Sequence, residues 1–139
     1  TIKGPSGDFI LNEDSPHSLV FIACNAGFAP IKSLIEHAMA LDIAEDIHLY
    51  WITTPGNHHY LGNLCRSWAD ALDNFHYKSL ESTSSTTVAD LLPGITSGLE
   101  DADKLDYYAC MPADLLEETV SLLIENAVPD RQIKTEPIR

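Results

Sequence analysis

Five consecutive apolar residues, Leu19-Val20-Phe21-Ile22-Ala23, constrain this chain more than anything else in it. A strand that is apolar at every position has no face to offer water, so it belongs inside a parallel sheet covered on both sides. The small-residue turn Cys24-Asn25-Ala26-Gly27 follows, and then Pro30, whose missing N–H costs nothing in the first turn of a helix. Beyond it Ile31, Leu34, Ile35, Ala38 and Leu41 recur at helical spacing, so one face of this helix should lie on the sheet. Strand, tight turn and helix make the first half of a βαβ unit.

The pattern repeats along the chain. Ile47 to Ile52 reads as a second strand, Tyr60 to about Leu72 as a second helix, and Asn74 to Leu80 as a weaker third strand. Glu81 to Thr87 is polar loop, and Val88 to Leu92 is a short helix stopped by Pro93-Gly94. Asp106 to Cys110 is a fourth strand, Pro112 to Asn126 a helix with Leu115, Leu116, Val120, Leu123 and Ile124 inward, and Gln132 to Thr135 a closing edge strand. Strands alternating with helices predict a three-layer α/β sandwich: a mostly parallel, five-stranded, doubly wound sheet with helices on both faces. Right-handed crossovers then set the first and fourth strands side by side, where the winding reverses.

Charge narrows the functions open to such a fold. Against 21 acidic residues stand 8 Lys and Arg, a formal net charge of -13, which repels nucleic acid and anionic membranes. No apolar run approaches the ~20 residues of a membrane span. Three scattered cysteines form no disulfide framework, and a cytoplasmic setting is expected.

In an open sheet of this kind ligands sit beyond the carboxyl ends of the strands, at the switch point. Cys24 to Pro30 and Cys110 to Pro112 both fall there. The first segment ends at a helix N-terminus, which favours a phosphate, and Gly27 would let a backbone approach it. One such glycine is more often ordinary turn chemistry than a phosphate cradle, and the spacings of the common phosphate loops are absent. The pair His58-His59 suggests a metal, but adjacent side chains diverge and nothing completes a ligand set, so no metal site is assigned. Trp51 and Trp68 fit core positions, Cys65 fits a small buried hydrophobe, and Glu100, Asp101, Asp103, Glu117 and Glu118 fit a solvated surface.

Three motifs in order, Gly4-Pro5-Ser6-Gly7-Asp8-Phe9, Gly27-Phe28-Ala29-Pro30-Ile31-Lys32-Ser33 and Tyr108-Ala109-Cys110-Met111-Pro112, resemble the ferredoxin–NADP reductase family. The match is to its pyridine-nucleotide-binding, C-terminal domain and covers essentially the whole chain. The resemblance implies an NAD(P)H-dependent flavoprotein reductase that passes hydride from NADH to FAD and electrons on to an iron–sulfur centre, a ferredoxin or an oxygenase partner. It implies that residues 1–18 are the tail of a missing flavin-binding domain and a linker, and that 19–139 bind NAD(P). FAD would sit in that neighbouring domain, with a [2Fe–2S] cluster elsewhere in the full chain, and the isolated domain would be inactive.

Carried over position by position, the resemblance assigns backbone contacts with the pyrophosphate to Ala26, Gly27 and Phe28, in a turn that Asn25 shapes. Thr53 and Thr54 would face the adenosine ribose. Cys110 would lie beside the reacting nicotinamide carbon as the catalytic residue, flanked by Met111 and Pro112. On this reading Gly27→Val should remove nucleotide binding and leave the fold intact.

Several positions depart from the family pattern. Its paired glycines are Cys24 and Asn25 here, its threonine is Ala26, the glycine after its cysteine is Met111, and its near-terminal aromatic falls at Ile138. Asn25 can preserve a left-handed turn, whereas Met111 is expected to narrow the nicotinamide slot. These departures leave open a non-catalytic relative that keeps the fold as an interaction or regulatory module. No Arg follows the second strand until Arg66, which favours NADH over NADPH.

Overall fold

The computed structural model describes residues 9–12, 17–42, 45–56, 59–83, 85–97 and 104–138. Five strands, β1 (Ser18–Cys24), β2 (Ile47–Thr53), β3 (Phe75–Glu81), β4 (Leu105–Pro112) and β5 (Ile133–Ile138), form one sheet in the order β3-β2-β1-β4-β5. Every pairing is parallel. The expected doubly wound sandwich is the observed one. β1 lies in the middle, and every residue from Leu19 to Cys24 is buried, as an all-apolar strand requires.

Helices α1 (Phe28–Leu41) and α2 (Gly62–Ala71) cover one face, while α3 (Val88–Ser97) and α4 (Ala113–Glu125) cover the other. Strand alternation divides the core between them. Phe21, Ala23, Leu49, Trp51, Tyr108 and Cys110 point toward α1 and α2; Val20, Ile22, Ile52, Tyr107, Ala109 and Met111 point toward α3 and α4. Trp51 and Cys65 are fully buried, and the half-buried Trp68 stacks edge-on against Phe75. Phe9 and Leu11, ahead of β1, also enter the core, and Asn12 donates its N–H to the Tyr108 hydroxyl at 2.9 Å. The opening motif Gly4 to Asp8 and residues 100–103 lie outside the described residues.

Three expectations change. α3 does not stop at Pro93-Gly94; Pro93 sits inside it, and Leu92 and Ile95 on either side are buried. Burying those two side chains contributes about 1.5–3 kcal/mol each, against about 3 kcal/mol for a proline within a helix. Leu41 is 42% exposed, because it is the last residue of α1, beside the left-handed Asp42 cap. Ile124 is 49% exposed, because Leu116, Thr119 and Leu123 form the inner stripe of α4 and Ile124 lies one step round from it. No helix among the described residues is long and apolar enough to cross a membrane.

Candidate functional site

β1 and β4 run side by side, but the chain leaves β1 for the α1 face and β4 for the α4 face. The diverging loops open a crevice at the carboxyl ends of the strands. A short turn, Asn25–Gly27, links β1 directly to α1 at that end of the sheet. Asn25 takes φ of 53°, the left-handed region its short polar side chain tolerates. Its amide reaches sideways to the residue that follows β2, away from β4: Nδ2–H donates to Thr54 Oγ1 and Oδ1 accepts from the Thr54 N–H, both at 3.0 Å. The Trp51 indole N–H donates to the Asn25 carbonyl at 3.1 Å. The side chain assigned to the cofactor is thus engaged by the protein itself.

Gly27 lies on β4. A Cβ at this position would fall 2.3 Å from the Cys110 carbonyl oxygen and 3.3 Å from its Sγ. The expectation that Gly27→Val keeps the fold is therefore corrected: a side chain here collides with backbone, which cannot swing aside. The glycine is demanded by packing whether or not an anion binds. Phe28 donates its N–H back to the Asn25 carbonyl, so of the three amides assigned to a pyrophosphate, that of Phe28 is already engaged. Its ring is fully buried and stacks on Trp51 at 4.0 Å. Ala26 is exposed at the rim.

Cys110 is wholly buried beneath this turn. Burial pushes its thiol up to about 12, and Glu136 and Cys24 push the same way, so the sulfur stays protonated at neutral pH and is no nucleophile. Met111 corrects a second expectation: it points into the opposite layer, where the Thr119 hydroxyl meets its Sδ at 3.3 Å, and so does not narrow a slot on the Cys110 side. Pro112 is half-buried at the end of β4. Thr53 is 2% exposed, its carbonyl accepting from the Ser82 N–H and hydroxyl, and so lies beneath the surface that Thr54 presents.

Two features escape inspection of the sequence. Glu136 pairs in register with Cys110, its Oε1 is buried without a hydrogen-bond partner among the described residues, and burial raises its pKa. The register of two strands 26 positions apart brings them together, and no local motif signals it. The second feature is a groove of about 460 Å³ at the ends of β2, β3 and β4, walled by Thr54, Pro55, Thr83, Thr87, Pro112 and Asp114. His59 donates its Nε2–H to the Trp51 carbonyl at 2.9 Å and sets its ring edge-on to Trp51, a packing role; His58 lies outside the described residues. Among the described residues no three His, Cys, Asp or Glu side chains are grouped to hold a metal ion.

No protein-family model matches the chain. It is 29% identical over 113 residues to the CDP-6-deoxy-L-threo-D-glycero-4-hexulose-3-dehydrase reductase of Yersinia pestis, covering 78% of this chain and 34% of that one. It is 25% identical over 111 residues to the NAD(P)H-flavin reductase of Vibrio harveyi, covering 77% and 47%. Among solved structures, an Amycolatopsis cytochrome P450 reductase superposes with a TM-score of 0.76 at 20% identity, over 94% of this chain and 41% of that one, and so shares its fold. The chain spans between a third and a half of the length of these reductases.

Proposed function

Since this chain is a relative of the ferredoxin–NADP reductase-like flavoprotein reductases and matches their nucleotide-binding domain, we propose that it binds NAD(H) across its switch-point crevice. It serves a longer flavoprotein in which hydride passes from NADH to FAD. One observation carries the reading: the Asn25–Gly27 turn, at the start of α1, lies directly over Cys110 at the crevice floor. A dinucleotide laid across it sets its pyrophosphate on the Ala26 and Gly27 backbone at the positive end of α1. The adenosine enters the groove beside Thr54, and the nicotinamide sits on the side of Cys110 and Glu136.

The nicotinamide, when bound, supplies the hydride. This chain would position it over the turn beneath which Cys110 is buried, with Glu136 paired beside Cys110 on β5. Phe9 and Leu11, within the 1–18 segment expected to be tail and linker, pack into the core of the nucleotide domain. The apolar hollow of about 560 Å³ between Ile10, Pro30, Leu34 and Glu136 is the face that the flavin domain covers. A ferredoxin, iron–sulfur domain or oxygenase component accepts the electrons, in a cytoplasm whose reducing poise suits three free buried thiols.

Calorimetric titration with NADH tests the binding, and dye reduction by the full-length reductase tests the turnover. Heat of binding together with NADH-dependent reduction supports the reading. No heat with NADH or NADPH at millimolar concentration overturns it in favour of a non-catalytic module on the same fold, the reading that the sealed Cys110 thiol favours.

A further inference from the structure

At the end of the sheet away from the candidate site, the starts of three strands are tied together. The Leu19 N–H of β1 donates to the Asp46 carbonyl at 2.9 Å, and the Asp46 N–H donates to Ser18 Oγ at 3.2 Å. The Asp46 carboxylate reaches the other way, its Oδ1 lying 3.1 Å from His76 Nε2 on β3. His76 pairs in register with His48 of β2, and the two imidazoles stack with centroids 4.8 Å apart and planes 22° from parallel. Ile47 and Leu49, on either side of His48, belong to the α1 and α2 layer, so strand alternation turns both rings to the opposite face. There His48 is half-buried and His76 is exposed.

An imidazole is the side chain whose charge ordinarily changes between about pH 5 and 8. Burial lowers the pKa of His48 from 6.5, the charge of His76 lowers it further, and Asp46 acts in the opposite sense. Asp46 directs its Oδ1 to His76, however, and Lys78 and Tyr50 are the next ionisable groups along this face of β3 and β2. On its other side His48 meets the apolar Val20 of β1, and α3 brings Leu91, Leu92 and Ile95 to this layer. β3 is an edge strand, bonded to β2 alone and buried only at Phe75. Its far end is pinned, since the Ser82 N–H and hydroxyl donate to the Thr53 carbonyl at 2.8 and 3.2 Å. We propose that Asp46, His76 and His48 form an acid-sensitive latch on β3: the stacked neutral ring of His48 holds the start of the strand on β2, and a proton there sets like charges in register and lets that end part. The latch goes beyond the NAD(H) reading and does not depend on it. The folded chain takes up this proton less readily than the unfolded one. The stabilisation is therefore complete above about pH 6.5 and is lost as pH falls below it.

Hydrogen exchange read by mass spectrometry at about pH 7.5 and about pH 5.5, on either side of the imidazole range and corrected for intrinsic rates, tests the latch on this chain. Peptides spanning β3 should exchange several-fold faster at the lower pH, while those of β1 and β4 keep their protection. His48→Phe keeps a flat ring in the stack without a charge and should abolish that difference. His76→Gln removes the opposing charge and should shrink it. In proton NMR, His48 should take up its proton at a higher pH in His76→Gln than in the parent, a shift that a merely structural stack would not produce. Equal β3 protection at both pH values in the parent overturns the latch. So does an acid-induced loss undiminished in the variants, or a His48 titration unmoved in His76→Gln. Should His48→Phe fail to fold, the exchange and the titration of His76→Gln decide the matter by themselves.

Discussion

Gly27 illustrates how one atom's worth of space is decided. From the sequence, its role divides between turn chemistry and a phosphate cradle; in the folded chain the missing Cβ is what lets the turn rest on the Cys110 carbonyl. Gly27→Ala should lower the unfolding free energy by about 1–3 kcal/mol, the usual cost of overpacking. Urea denaturation would show it as an earlier midpoint at unchanged slope. A variant as stable as the parent would mean that the turn has room to lift off β4. Asn25 makes the complementary point: its left-handed backbone was legible from residue type, whereas the engagement of its amide with Thr54, 29 residues away, was not.

At the scale of single elements, the end of α4 carries an unforced cost. The Val128 N–H bonds back to the Leu123 carbonyl and the Ala127 N–H to that of Ile124, both at 3.0 Å, with Val128 buried against the helix. This closure calls for a left-handed residue, normally glycine, yet Ala127 holds φ of 71°. A left-handed alanine costs about 1–2 kcal/mol, so Ala127→Gly should raise stability by about 1 kcal/mol. Thermal unfolding of the variant checks it, and a lower melting temperature would count against the strain. α3 shows the converse: Pro93-Gly94 reads as a stop, but Leu92 and Ile95 find the core on either side and the helix continues.

For the molecule as a whole, the central sheet seals every cysteine. Burial pushes Cys24 up to about 11 and Cys65 and Cys110 up to about 12, from an ordinary value of 9.0. The folded chain therefore holds these protons where the unfolded chain would lose them. Their contribution to stability is intact below pH 9, shrinks as pH rises, and is gone above about 12. The urea midpoint should accordingly fall across that interval, and more gently in a variant with all three cysteines replaced by alanine. At pH 8 a chromogenic disulfide reagent should leave the native thiols untouched and titrate all three in denaturant. Rapid native modification would show the β1–β4 seam to be open.

What the sequence determined by itself was the layering. Apolar runs and helical spacing express a short-range rule, since each residue's burial follows from its neighbours at two, three or four positions, and the parallel sheet with helices on both faces follows from that. The motif order pointed to the carboxyl ends of β1 and β4 for the same reason, because a strand–turn–helix is local. Tertiary structure alone decided which groups meet at that end of the sheet. Glu136 came beside Cys110 through strand register, Asn25 clamped Thr54 through the parallel pairing of β1 with β2, and Met111 turned to the other layer through strand alternation. Those contacts join residues remote in the chain, and their geometry exists only once the sheet has closed around them.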